Sequence, residues 1–332
     1  MNPLLASVVA LSMGAASLLA VDAPVSAKPE AAKAAPVVKK VTYSVAPTEA
    51  DVAYGVHPKQ VMHFWKAEST KPTPLIFYIH GGGWTAGDRT GANVMLTAAL
   101  KAGVSVVSIE YRFIKEAPAA GVVPPGKGPM LDCARALQFV RSKAKEWNID
   151  KTRIGASGGS AGACTSLWLA FHDDLADPKS DDPIARESTR LTCAAVQSPQ
   201  TSLDPYQMRE WTPNSSYGAH AFGITGDAKK KTSSFQAFYD AREKILPWIK
   251  EYSPYELVTR DDPPVGLFFG GKPNIGKEER DATHSANFGV KLKEHCDEIK
   301  VSCELVYPGA PDVQHPSALA FLLAKLVSEP KK

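Results

Sequence analysis

The sequence predicts an α/β fold, a mainly parallel, doubly wound sheet flanked by helices, and three observations carry that expectation. Short β-branched or aromatic runs alternate with segments of helical apolar spacing along most of the chain. Two early strand-like runs follow one another with no helix between them, which is how an antiparallel pair enters such a sheet. A glycine-rich turn, Gly158-Gly159-Ser160-Ala161-Gly162, sits between a strand pattern and an Ala-rich helical segment.

Met1–Ala20 is an apolar run, and Val25-Ser26-Ala27 offers the small residues a signal peptidase needs, so residues 1–27 are expected to be an export signal. No Lys or Arg precedes the run, and Leu4–Val21 is nearly long enough to span a bilayer, which leaves a membrane anchor as the alternative. Residues 28–40 are rich in Ala, Pro and Lys without an apolar period and read as a flexible tether. The expected protein is therefore exported to the periplasm or beyond, without stable membrane insertion once the signal is cleaved. Its folded domain spans residues 41–328.

Within that domain Val41–Val45 and Gln60–Lys66 form the antiparallel lead-in. The strands that follow are Leu75–Ile79, Val104–Ile109, Arg153–Ala156, Leu191–Val196, Val265–Phe269 and Val301–Tyr307. Helical spacing marks Asn93–Lys101, Met130–Trp147, Ala161–His172, His284–Asp297 and Ser317–Leu326. Residues 198–264 form a long aromatic and proline-bearing insertion, expected as a lid or pocket wall, or else as a surface excursion with a small core of its own.

A net charge of +3, with Lys and Arg spread along all 332 residues, argues against a nucleic-acid partner. The five cysteines are an odd number, so at least one is unpaired; Cys296 and Cys303 bracket a short helix-to-strand turn and are the best candidate disulfide. No Cys or His cluster has metal-ligand spacing, and neither a metal nor a cofactor is expected.

Gly158–Gly162 fits G-x-S-x-G, a turn sharp enough to lift the Ser160 hydroxyl onto the positive end of the next helix. The pentapeptide alone arises by chance in about one chain of this length in ten, so its strand–turn–helix setting carries the weight. The run His80-Gly81-Gly82-Gly83-Trp84 ends an upstream strand and is far rarer. Consecutive glycines let backbone N–H groups face a developing oxyanion, and Gly82, Gly83 and Ala161 are the candidate donors. His80 precedes this loop and reads as a structural hydrogen-bonder.

These two motifs, in this order and each at a strand end, resemble those of the esterase and lipase relatives of hormone-sensitive lipase and of the bacterial feruloyl-esterase-like (BD-FAE) group. Glu110-Tyr111-Arg112, the segment from Asp132 to Ala136, and Tyr252-Ser253-Pro254 with Asp261–Pro264 extend the likeness over about residues 45–327. The resemblance implies an α/β-hydrolase fold and a serine carboxylesterase of Ser-Asp-His type that needs no cofactor. Its substrates would be small-molecule acyl esters, or acetyl or feruloyl groups linked to polysaccharides.

The chain order of such a triad is Ser, then acid, then His. His315 is the histidine that follows the last strand and is the expected base, although its loop is longer than the family's G-x-G-H turn. The acid is less regular, because the family's G-D-x-D pattern after the seventh strand is missing. Setting Asp281 on the second Asp of that pattern places His284 on its Val, and makes Asp281 the expected acid, with Glu278, Glu279 and Asp312 as competitors. Two other readings remain: a prolyl-oligopeptidase-like peptidase, and a glycan- or protein-binding module that keeps the fold without its acid.

Overall fold

A computed structural model describes residues 43–327; the expected signal (1–27) and tether (28–40) lie outside the described residues. Eight strands form one sheet: β1 (Glu49–Ala53), β2 (Val61–Trp65), β3 (Thr73–Ile79), β4 (Ser105–Ile109), β5 (Ile149–Gly159), β6 (Cys193–Gln197), β7 (Val265–Phe268) and β8 (Cys303–Val306). Their order across the sheet is β1-β2-β4-β3-β5-β6-β7-β8. β2 pairs antiparallel with both β1 and β4, and every pairing from β4 to β8 is parallel.

Parallel strands need helical crossovers, and these cover both faces of the sheet. The helices are α1 (Leu96–Lys101), α2 (Lys127–Ser142), α3 (Ala144–Trp147), α4 (Ala161–Phe171), α5 (Pro205–Trp211), α6 (Ser234–Asp240), α7 (Arg242–Tyr252), α8 (Pro254–Leu257), α9 (Asn287–Ile299) and α10 (Ala318–Leu326). Side chains alternate along each strand, so β3 sends Ile76 into one core with Leu96 of α1 and Phe321 of α10. The other face receives Leu75, Phe77 and Ile79, packed in a core with Leu137 of α2, Leu167 of α4 and Leu292 of α9.

Three expectations about the elements are corrected. Among the described residues the first strand is Glu49–Ala53, and Tyr43–Val45, the described part of the expected strand, is not in one; Val45 O instead accepts the Trp65 indole N–H at 2.8 Å, and β1 is a largely exposed edge that carries no apolar signal. The long helix expected over Met130–Trp147 begins at Lys127 and breaks at Lys143. The helix expected from His284 begins at Asn287, and His284 itself lies on a short 3-10 turn, Ala282–His284.

The stretch between β6 and β7 is built from α5 to α8, and Trp211, Phe235, Phe238 and Ile249 join the main core. Cys296 and Cys303 are free, as are the other three cysteines, although their buried thiols are in hydrogen-bonding contact. No helix among the described residues is long and apolar enough to cross a membrane.

Candidate active site

β5 ends at Gly159 and α4 begins at Ala161, so Ser160 makes the whole turn, with φ 53° and ψ −122°. A side-chain-bearing residue at positive φ is strained and stays so only where its surroundings hold it. Ser160 N–H donates to Gln197 O at 3.0 Å and Ser160 O accepts from Cys164 N–H at 2.9 Å, so sheet and helix both grip the turn. Gly162 is demanded by close approach, since a methyl there would overlap the carbonyl oxygens of Ile79 and His80. That approach brings the end of β3 against the start of α4.

The loop after β3 is held from three sides. Tyr111 donates its hydroxyl to His80 O at 2.8 Å, and the His80 ring stacks on the Tyr111 ring with centroids 4.2 Å apart. Glu110 faces the same imidazole at 3.6 Å and accepts the Arg89 N–H at 3.0 Å. Burial pushes the Glu110 carboxyl up, but the His80 ring and the Arg89 N–H outweigh it, and its pKa is lowered. Trp84, fully buried, donates its indole N–H to Thr165 Oγ1 of α4 at 3.0 Å. Gly82 and Gly83 hold φ of 101° and 60°. The N–H groups of Gly82, Gly83 and Ala161 have no acceptor among the described residues.

His284 is the histidine hydrogen-bonded to Ser160. Its Nε2 is 2.9 Å from Ser160 Oγ, and its Nδ1 is 2.8 Å from Asp281 Oδ2. Burial raises the Asp281 carboxyl, but the His284 ring and the adjoining backbone N–H groups prevail, and its pKa lies below the usual range. The turn that carries both residues is pinned from elsewhere. Gln200 Nε2 donates to Thr283 O at 2.7 Å. Buried Asn287 donates to Trp211 O at 2.8 Å and Thr212 Oγ1 at 3.0 Å, and accepts from Asn274 N–H at 2.7 Å.

The expected contact between Ser160 and His315 is not formed. His315 Nδ1 meets Glu304 Oε2 at 2.6 Å, and the other Glu304 oxygen accepts the N–H groups of Gln314 and His315 at 2.9 and 2.8 Å. This pairing fixes His315 to β8 ahead of α10, with its ring edge-on to Phe321. Of the competitor acids, Glu278, Glu279 and Asp312 make no hydrogen bond to either histidine among the described residues. Backbone groups of Glu279 bond to Asn214 instead. The chain order of the three hydrogen-bonded residues is Ser160, Asp281, His284, and the last two stand three residues apart on one turn.

Ser160 opens into a cleft of about 440 Å³ lined by Gly81, Gly159, Gln197, Ser198, Asp281 and His284. A larger cavity of about 570 Å³ has Ile114, Pro125, Ala219 and Ile224 as apolar wall and is also lined by Thr85 and His220, whose side chains bond the carbonyls of Gly82 and Gly83. Three of these six residues, Ala219, His220 and Ile224, come from the stretch between β6 and β7. No group of three or more His, Cys, Asp or Glu among the described residues could hold a metal ion.

The Mycobacterium tuberculosis proteins named Esterase LipC and Probable carboxylic ester hydrolase LipM are 25% identical over 239 residues and 28% identical over 249 residues. Those alignments cover 67% and 68% of this chain but 50% and 48% of the relatives, so the chain spans about half the length of the curated proteins it matches. Among solved structures it is similar to an acetyl ester-xyloside bifunctional hydrolase from Caldicellulosiruptor lactoaceticus, with TM-score 0.54, 24% identity, and 74% and 77% of the two chains covered. A truncated carbohydrate esterase from gut microbiota gives TM-score 0.60 at 19% identity, covering 84% and 96%. The family model described as BD-FAE matches residues 63–281, a span that takes in the HGGGW loop, Ser160 and Asp281. The chain therefore belongs to the BD-FAE family and has the α/β-hydrolase fold.

Proposed function

We propose that this protein is a carboxylic-ester hydrolase that works by two-step acyl transfer, with Ser160 as nucleophile, His284 as general base and acid, and Asp281 as the carboxylate that orients His284. The observation that carries this reading is the hydrogen-bonded line from Ser160 Oγ through His284 to Asp281. Ser160 Oγ attacks the ester carbonyl while His284 Nε2 takes its proton, and that proton then passes to the departing alkoxide. Water attacks the acyl-serine, gives a proton to the same nitrogen, and the acid leaves with Ser160 restored. Backbone N–H groups of Gly82, Gly83 and Ala161 face the oxyanion in both steps.

Family membership and the esterase relatives support the reaction class. For the substrate we propose acyl esters of small alcohols or of polysaccharide hydroxyls, encountered outside the cytoplasm. The open cleft at Ser160 supports this choice, because it leaves room for a bulky alcohol. A fluorophosphonate probe and a series of p-nitrophenyl and acetylated-glycan esters test the proposal. Labelling and turnover that both vanish in Ser160→Ala are the expected result. A folded wild-type protein that neither labels nor turns over any ester would favour a binding module.

A further inference from the structure

Tyr217, between α5 and α6, carries a buried hydroxyl with no hydrogen-bond partner among the described residues. Buried hydroxyls are nearly always paired, so one left open at a reaction centre asks for a ligand. Its place is set by Gly83: a Cβ built there would stand 3.7 Å from each of Tyr217 Oη, His220 Nε2 and Thr85 Oγ1. Two of these three polar atoms are engaged with the loop's own backbone. His220 Nε2 donates to Gly83 O at 3.1 Å, and Thr85 Oγ1 donates to Gly82 O at 3.1 Å. Only the Tyr217 hydroxyl has a proton to spare.

The phenol ring is held in place by its neighbours, with the His220 ring 4.8 Å away edge-on and the Trp84 ring at 6.3 Å. The hydroxyl therefore lies beside Gly83, one of the three residues whose N–H groups are proposed above to face the oxyanion. Burial raises its pKa far above the ordinary phenol value, so it is a neutral O–H donor over the whole working range.

We propose that Tyr217 is a further catalytic residue, whose O–H donates a hydrogen bond to the substrate's acyl carbonyl oxygen as that oxygen gains negative charge. This rests on the esterase reading above and extends it, since the stretch between β6 and β7 then supplies a group to the chemistry as well as a wall to the cavity. A residue that only packs its ring would be replaced by Phe without consequence.

Tyr217→Phe is thus the test, measured on p-nitrophenyl acetate and butyrate beside Ser160→Ala. The expected loss in kcat/KM is roughly 100- to 1,000-fold, on the scale of a single oxyanion donor, with KM little changed and Tm equal or higher. Affinity for a trifluoromethyl ketone, which forms a hemiketal oxyanion on the serine, should weaken by the same factor. Kinetics and ketone affinity within about twofold of wild type, with Ser160→Ala inactive, would remove Tyr217 and leave the triad standing. Turnover that survives in Ser160→Ala would overturn both.

Discussion

The His284 imidazole and the Asp281 carboxylate meet at 2.8 Å within one short turn, and both stand open to water, with side chains 36% and 65% exposed. An orienting acid is most valuable where the field is not screened, and exposure weakens charge interactions. Asp281→Asn should therefore lower kcat/KM by about 10- to 1,000-fold, less than the roughly 10,000-fold known for a buried triad acid. A loss as large as that of the His284 variant would show that water does not screen this pair.

The two histidines make opposite predictions. His284→Ala should reduce turnover of p-nitrophenyl acetate by three orders of magnitude or more, at about the level of Ser160→Ala, because triad members act as a unit. His315→Ala should keep most of the activity and lose some stability, since it leaves Glu304 without its ring partner at 2.6 Å. Inactivity of a well-folded His315→Ala would restore His315 as the base.

Acid should destabilise the protein through carboxyls whose pKa is depressed in the fold. Glu110 is one: burial opposes its ionisation, but His80 and the Arg89 N–H more than compensate. Glu304 is another, where burial is outweighed by the His315 ring and two backbone N–H groups. Such groups bind protons more weakly folded than unfolded. Their contribution is full above the unfolded value of about 4 and disappears as pH falls through the lower folded value. Tm should fall steeply on acidification below pH of about 4. Glu110→Gln should flatten that slope and cost about 1–2 kcal/mol at neutral pH. An unchanged slope would exclude Glu110 as a contributor.

Asn287 is fully buried and bonded to Trp211, Thr212 and Asn274, just past the turn that carries acid and base. Asn287→Ala leaves those buried groups unpaired, which should cost about 2–4 kcal/mol. Where the protein still folds, kcat should fall more than KM rises, because the base is displaced while the cleft remains. Thermal unfolding and steady-state kinetics on the same sample separate the two effects, and an unaltered kcat would deny Asn287 any role in placing His284.

Legibility of the sequence followed the physics of each element. Buried parallel strands such as Ile154–Ala156 and Val265–Leu267 announce themselves by apolar runs, and Ser160 and the glycine loop stand at strand ends where only small residues fit. β1 was hidden because an exposed edge strand carries no such run. Asp281 could be reached by aligning across an insertion, but His284 could not be read from pattern alone. It falls on the Val of the G-D-x-D-x-x-V-P pattern, and a competing histidine follows the last strand. The signal was the Asp-x-x-His spacing itself, which on one turn of 3-10 helix stacks residue i over residue i+3. Glu304, the partner that occupies His315, had no sequence signal, since its neighbour across the β8 turn is set only by the fold.

Asp281 and His284 share a single turn. In a triad drawn from three separate loops, two independent distances must be set correctly, and a shift in either loop spoils the relay. Here the Nδ1–Oδ2 contact lies within one turn, so a shift of that turn would carry both residues' backbones together and change chiefly the Nε2–Oγ separation. Displacement of the turn would thus part His284 from Ser160 while leaving the contact with Asp281 in place, and Ser160 would stay where the sheet and α4 hold it.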